Sequence, residues 1–118
     1  VRFAAARVAA LNYGNCLVGL KRFEEAQRLL CTTFVSSRVL EEDHQFLALR
    51  FRENYATALY MDPGATLDDL REAVTTGENT ERIARRILGG AHPNVGSMEE
   101  SLQQARATLR RRETSRSV

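Results

Sequence analysis

The chain has 118 residues, 43% of them hydrophobic and 27% charged, with a formal net charge of +2. That is the length of one domain and the composition of an ordinary globular one with a modest core. No apolar run approaches the roughly 18 residues needed to cross a bilayer, so no membrane span is expected.

Ala, Leu, Arg and Glu dominate, Trp is absent and there are only two prolines, a composition that favours helix. The opening "VRFAAARVAAL" has no initiator Met and no small-residue cleavage site; it reads as the start of an excised fragment rather than a signal peptide. A first helix is predicted over about Arg2 to Leu20, with Ala6, Ala9, Ala10, Tyr13, Leu17 and Leu20 inward. Gly14 in its middle costs about 1 kcal/mol against Ala, so a close helix crossing is expected there, against Ala26. A second helix runs from Phe23 to about Leu40, with Phe23, Ala26, Leu29, Leu30, Thr33 and Phe34 inward and Glu24 and Glu25 in its first turn.

"EEDHQ" at Glu41 to Gln45 is a polar joint before a third helix over about His44 to Met61, with Phe46, Leu49, Tyr55, Ala56 and Leu59 buried. "MDPGAT" breaks that helix, and "MDPGATLDD" is expected to be a surface excursion of little weight in stability. Thr66 and Asp69 form a capping box for a fourth helix, about Leu67 to Leu88. Its inner residues are Leu70, Ala73, Val74, Gly77, Thr80, Ala84, Ile87 and Leu88. "GGAHPNVG" is a stop, after which Ser97 and Glu100 are placed as the capping box of a fifth helix, about Met98 to Arg112. No segment alternates with period two for long enough to read as a strand.

Charge is uneven. From residue 103 onward there are five arginines against Glu113 alone, a net +4 that leaves the body near −2. Residues 113–118 read as a basic, frayed tail, and Arg110, Arg111 and Arg112 as solvated groups with weak, salt-sensitive attraction to polyanions. No aromatic residue interleaves them, so base stacking has no candidate there and nucleic acid is not expected as a partner. Cys16 and Cys31 make no CxxC and no disulfide framework, and His44 and His92 lack further ligands at metal spacing. No Ser-His-Asp, Cys-His or HExxH arrangement and no phosphate-binding glycine loop occurs. The expectation is therefore no enzyme, no cofactor, no metal and no catalytic residue; the sequence does not name the compartment, for which an intracellular, cytoplasmic one is the default.

The decisive pattern is internal repetition. Asn12-Tyr13-Gly14 aligns with Asn54-Tyr55-Ala56 at a period of 42, which places Leu17 on Leu59. Each copy continues with a loop, a helix carrying Ala26 or Ala73, and a closer, "VLEEDHQ" or "ILGGAHP". A helix pair per repeat predicts an all-α fold, an antiparallel helix-pair α-solenoid of about five helices. Repeat one spans about 4–44, repeat two about 45–93, and a terminal helix about 97–112, one domain over 1–112.

Tyr13, Gly14, Leu17, Phe23, Ala26 and Leu30, in the order large, small, large, large, small, large, resemble a tetratricopeptide repeat. "FEEAQRLL" is similar to the start of that repeat's second helix, and the 42-residue period with "LGGAHP" resembles the kinesin-light-chain type. The first closer lacks the Gly and Pro, Gly77 stands where a larger apolar residue is usual, and the segment from Met98 lacks the aromatic position. The resemblance implies that the first helix of each pair lines a concave groove that binds peptides. It places Asn12 and Asn54 on the groove wall, with Asn15 and Thr57 one turn further on and Val8 and Leu11 near one end. Asparagine amides there can pair with a peptide backbone, and Arg50 can meet an acidic group, opposed by Glu53. The expected function is a protein-interaction scaffold for a protein or peptide ligand. The alternative is a structural subunit or fragment of a larger assembly whose groove is permanently filled. Self-association through the open repeat ends is also expected.

Overall fold

The structure, a computed structural model, describes residues 2–37 and 45–116, with side chains over 11–30 and 48–115. The described residues are all helical, without strands: α1 (Arg2–Gly19), α2 (Phe23–Ser37), α3 (Gln45–Tyr60), α4 (Leu67–Leu88) and α5 (Pro93–Arg116). The expected end of the second helix at Leu40, the joint from Glu41 and the start at His44 lie outside the described residues. So do the side chains of Ala6, Val8, Ala9, Ala10, Cys31, Thr33, Phe34 and Phe46, and the last two residues of the tail.

The turns follow from local chemistry. After α1, Arg22 N–H donates to Leu17 O at 2.8 Å and Lys21 N–H to Val18 O at 3.0 Å. This is a Schellman closure, with Lys21 in the left-handed position at φ 62°. Thr66 caps α4 as expected: Asp69 N–H donates to Thr66 Oγ1 at 3.1 Å, and Thr66 N–H to Asp69 Oδ2 at 3.0 Å. Gly89, at φ 88°, ends α4 in a backbone region that only glycine enters without strain.

The start of α5 corrects the sequence reading. The helix begins at Pro93, five residues before Met98, because proline suits the first helical position and needs no N–H partner. His92 caps it, its Nδ1 accepting from Asn94 N–H at 3.1 Å and its carbonyl from Val95 N–H at 3.0 Å. Ser97 is thus a mid-helix residue, not a cap. At the other end the helix continues through Glu113 to Arg116, so the expected fraying at 113 is not observed in the described part of the tail.

Each helix packs on the next, and the odd-numbered helices also touch, α1 on α3 and α3 on α5. Gly14 lets α1 approach α2 closely: a Cβ there would lie 2.7 Å from Leu30 Cδ2. Leu30, one turn beyond the expected Ala26, is the residue that fills the crossing. Leu11, Leu17, Ala26, Leu30, Phe51 and Ala58 form one core cluster across α1, α2 and α3. Leu49 with Ala84, and Ala56 and Leu59 with Ala73, join α3 antiparallel to α4. Arg85 with Glu99 and Arg106 with Glu78, both at 3.0 Å, run α4 antiparallel to α5.

Two expected core residues of α1 are outside: Tyr13 is 55% and Leu20 67% exposed. The buried arc is instead Leu11, Gly14 and Leu17. An apolar sequence on every side of a helix leaves the choice of arc to its neighbours, and α2 and α3 stand on the Gly14 side. Ile87 on α4 is likewise outside, 38% exposed.

The loop between α3 and α4 is not a free excursion. Ala65 is buried, its carbonyl accepts from Arg112 Nη1, and Pro63 O accepts from Arg112 Nη2 at 3.2 Å. Arg112, expected to be solvated, therefore ties the loop to α5.

Candidate interaction surface

Among the described residues three polar side-chain contacts join α3 to α5, each spanning 44 residues. Ser97 Oγ donates to Glu53 Oε2 at 3.2 Å; Thr57 and Ser101 hydroxyls lie 3.5 Å apart; Tyr60 OH donates to Gln104 Oε1 at 2.9 Å. The steps from 53 to 57 to 60 are matched by 97 to 101 to 104, so the two helices run parallel, turn against turn. Thr57 Oγ1 donates to Glu53 O at 2.9 Å, which leaves Ser101 as the donor between the two hydroxyls.

This seam withdraws several residues from the surface. Glu53 is 9% exposed, and burial holds its carboxyl above the ordinary carboxylate range, opposed by the charge of Arg50 and the bond from Ser97. Arg50 Nη1 stands 3.6 Å from Glu53 Oε1 along its own helix, and its side chain remains partly exposed. Asn54 is also 9% exposed, and its Nδ2 is buried without a hydrogen-bond partner among the described residues. Its amide does not stand on an open wall where a peptide could reach it. Asn12 and Asn15 are both exposed on α1. The 42-residue equivalence of Asn12 and Asn54 thus holds in sequence and not in environment: among the described residues Asn54 is buried on α3, which packs on both α1 and α5, and Asn12 is exposed.

A cavity of about 410 Å³ opens between the end of α3 and the second half of α5, lined by Tyr60, Met61, Gln104, Ala107, Thr108 and Arg111. Met61 is 48% exposed and supplies an apolar wall. Thr108 Oγ1 donates to Gln104 O at 2.8 Å and accepts from Arg111 Nη2 at 3.2 Å, which positions the guanidinium at the rim. Arg111 forms no ion pair among the described residues, so its charge is available. None of these six residues is among the groove residues the sequence predicts; Arg111 is expected there only to attract polyanions weakly. A second cavity, about 390 Å³, lies between the α1–α2 turn and the α3–α4 loop. Its cations Lys21, Arg22 and Arg28 are balanced by Glu24, Glu25 and Asp62, and Arg22 already clasps Glu25 at 2.7 and 2.6 Å.

Among the described residues no three His, Cys, Asp or Glu side chains gather as a metal-holding group, and no helix is long and apolar enough to cross a membrane. Comparison with known proteins adds no assignment: no family model matches the chain, and no curated protein or solved structure matches it significantly.

Proposed function

We propose that the chain is a protein-interaction scaffold built of helix-pair repeats, of the tetratricopeptide kind its sequence resembles. On this reading it binds an extended peptide segment of a partner along its odd-numbered helices. The observation that carries the reading is the cleft at the end of α3, where Tyr60, bonded to Gln104, and Met61 line a cavity with Gln104, Ala107, Thr108 and Arg111 of α5. The neighbour order supports a solenoid, since each helix meets the next and the odd ones also meet. The overall dimensions, 53 × 31 × 21 Å, support it as well, because the shortest is about two helix diameters.

The cleft offers an apolar wall, amide N–H groups on Gln104 and, on Arg111, a guanidinium with no ion pair among the described residues. A peptide with an apolar side chain next to a carboxylate meets all three. Asn12, Asn15, Arg50 and Thr57 give the neighbouring surface a polar character, which favours transient binding over a groove filled permanently by an assembly partner. Asn54 holds no ligand contact in this proposal. The test is selection of binding peptides from a random library, followed by amide chemical-shift mapping. Shifts confined to 60–61 and 104–111 support the reading; shifts confined to α2 and α4 overturn it.

A further inference from the structure

Glu100, Gln104, Ala107 and Arg111 follow one another at helical steps of four, three and four, so they share one side of α5. The last three line the α3–α5 cavity, and Glu100, exposed, continues their stripe one turn earlier. Arg50, Asn54, Thr57 and Met61 repeat the same steps on α3, and Met61 lines the same cavity. The two stripes therefore border one face. Asn54 is its buried member. The Arg50 side chain stays 34% exposed, and its contact with Glu53 is long, at 3.6 Å.

Three charges are open on this face: Arg50 at one end, Arg111 at the other, and Glu100 between them. Neither Glu100 nor Arg111 forms an ion pair among the described residues. The helix α1, which also packs on α3, carries no charge from Leu11 to Leu20. The contact between Thr57 and Ser101 sets the heights of the three charges along the shared direction of the parallel helices. Arg50 leans towards Glu53, and Arg111 towards Thr108. At the α-helical rise the two guanidinium groups are about 16 Å apart along that direction, with Glu100 nearer to Arg50. An extended peptide covers this distance in about five residues. A uniformly acidic segment would meet both arginines but would also meet Glu100, and like charges across an interface reject a partner. A basic residue between two acidic ones meets all three groups with opposite charge.

We infer that the face between α3 and α5 takes an extended peptide with two carboxylates about five residues apart and a Lys or Arg between them, on the Arg50 side of the midpoint. The inference rests on the peptide-binding reading above and adds the charge order of the ligand.

The test uses a synthetic peptide with the core Glu-Ser-Lys-Ala-Leu-Glu, flanked by Ser and Ala, and the same core in reverse order. Its Leu is placed for the Met61 wall. Binding is read by fluorescence anisotropy at low salt. One of the two directions should bind. Replacing its Lys with Glu should weaken binding to the wild type about tenfold, and replacing it with Ser should weaken binding less. Glu100→Lys should invert the preference, so that the Glu-centred peptide binds better; Glu100 is exposed, and the helical circular dichroism should not change. Arg50→Gln should weaken the Lys-centred peptide and have no effect on a version with Ser in place of the carboxylate that faces Arg50. The wild-type comparison of the two peptides does not depend on how either variant folds. Equal affinity of the wild type for the Lys- and Glu-centred peptides, or an unchanged preference in a folded Glu100→Lys, would overturn the inference. If no peptide of this set binds while library peptides shift 60–61 and 104–111, the charge order falls and the cleft stands. Shifts confined to α2 and α4 remove both.

Discussion

Ser97 and Glu53, 44 residues apart in the chain, share a hydrogen bond of 3.2 Å in which a hydroxyl on α5 reaches a carboxylate buried on α3. The bond is one rung of the parallel register between those helices, and it makes the seam sensitive to pH. Burial raises the folded-state pKa of Glu53 above its unfolded value, so the folded chain holds that proton more tightly. Stability from this group is then fully present below the ordinary carboxylate pKa and is lost as pH rises through the raised one. Glu53→Gln should be more stable than wild type at neutral pH, with a gap that shrinks on acidification. Arg50→Ala removes the charge that offsets burial and should lower neutral-pH stability. Urea unfolding of the three proteins at several pH values checks this; a constant gap between wild type and Glu53→Gln would show that Glu53 titrates normally.

The helix crossings predict a graded glycine series. Gly14→Ala gains about 1 kcal/mol of helix propensity but drives a Cβ to 2.7 Å from Leu30, which is fully buried and cannot swing away. Overpacking of this kind costs about 1–3 kcal/mol, so the net effect is a loss, and Gly14→Leu should lose more. At Gly77 the nearest atom, Leu102 Cδ1, is at 3.1 Å and needs to give only slightly, so Gly77→Ala should be near neutral. Lys21 occupies a left-handed position suited to glycine, and Lys21→Gly should stabilise by about 0.5–1 kcal/mol. Melting temperatures in any other order would require a different packing of α1 on α2.

Arg112 donates to both Pro63 O and Ala65 O, an attachment across 47 and 49 residues. Hydrogen bonds from a charged donor are worth about 1.5–3 kcal/mol, reduced where one bond is exposed. Arg112→Ala should therefore destabilise by about 1–2 kcal/mol and speed amide exchange at Ala65 and Thr66. Lys should not restore it, because one ammonium cannot span both carbonyls as the guanidinium fork does. Deleting Gly64 and Ala65 should cost more still, since Ala65 is buried. Unchanged exchange in Arg112→Ala would detach the loop from α5.

Local chemistry was legible and distant geometry was not. The Thr66–Asp69 cap, the Pro63-Gly64 break and the inner faces of Leu70, Ala73 and Ala84 follow from neighbours in sequence. Gly14 announced a close crossing, but its partner, Leu30, is set by how far α2 slides along α1. Ser97 carries a cap spacing that Pro93 pre-empts. Tyr13, expected inward, is outside because α1 carries apolar residues on every side, and only the position of α2 and α3 selects the Leu11 side. The α3–α5 cleft joins Met61 to Arg111 across α4, and no motif spans that distance. Arg111 reads in sequence as a solvated arginine at the end of the last helix, because its cleft partners Tyr60 and Met61 lie some fifty residues away.

Asn54 yields a prediction opposite to that for Asn12. A buried amide nitrogen with no partner costs about 1–3 kcal/mol, and an apolar side chain of similar size removes the cost. Asn54→Leu should raise stability by about 1 kcal/mol. Asn12 is exposed on α1, and Asn12→Ala should change stability by less than about 0.5 kcal/mol. Thermal unfolding of the two variants separates them. A clear loss in Asn54→Leu would mean that the amide is paired in solution, for example by a buried water.

Binding in the α3–α5 cleft should depend on its two walls separately. Met61→Ala removes apolar contact and should weaken a selected peptide about tenfold, a loss of about 1.4 kcal/mol. Arg111→Ala should weaken peptides carrying a carboxylate by a comparable factor and leave uncharged analogues of the same peptide nearly unaffected. The Arg111 term should shrink between low and physiological salt, because the guanidinium is at an exposed rim, whereas the Met61 term should not. Neither change should alter melting by more than about 0.5 kcal/mol, since both side chains are exposed. Asn12→Ala with Asn15→Ala should matter only for peptides long enough to reach α1, while Asn54→Leu should leave affinity unchanged. Titration calorimetry of one carboxylate-bearing peptide and its amide analogue against this set is the measurement. If both peptides bind wild type and Arg111→Ala equally, Arg111 is not part of the site. If Met61→Ala is also silent, the cleft is not where the ligand lies.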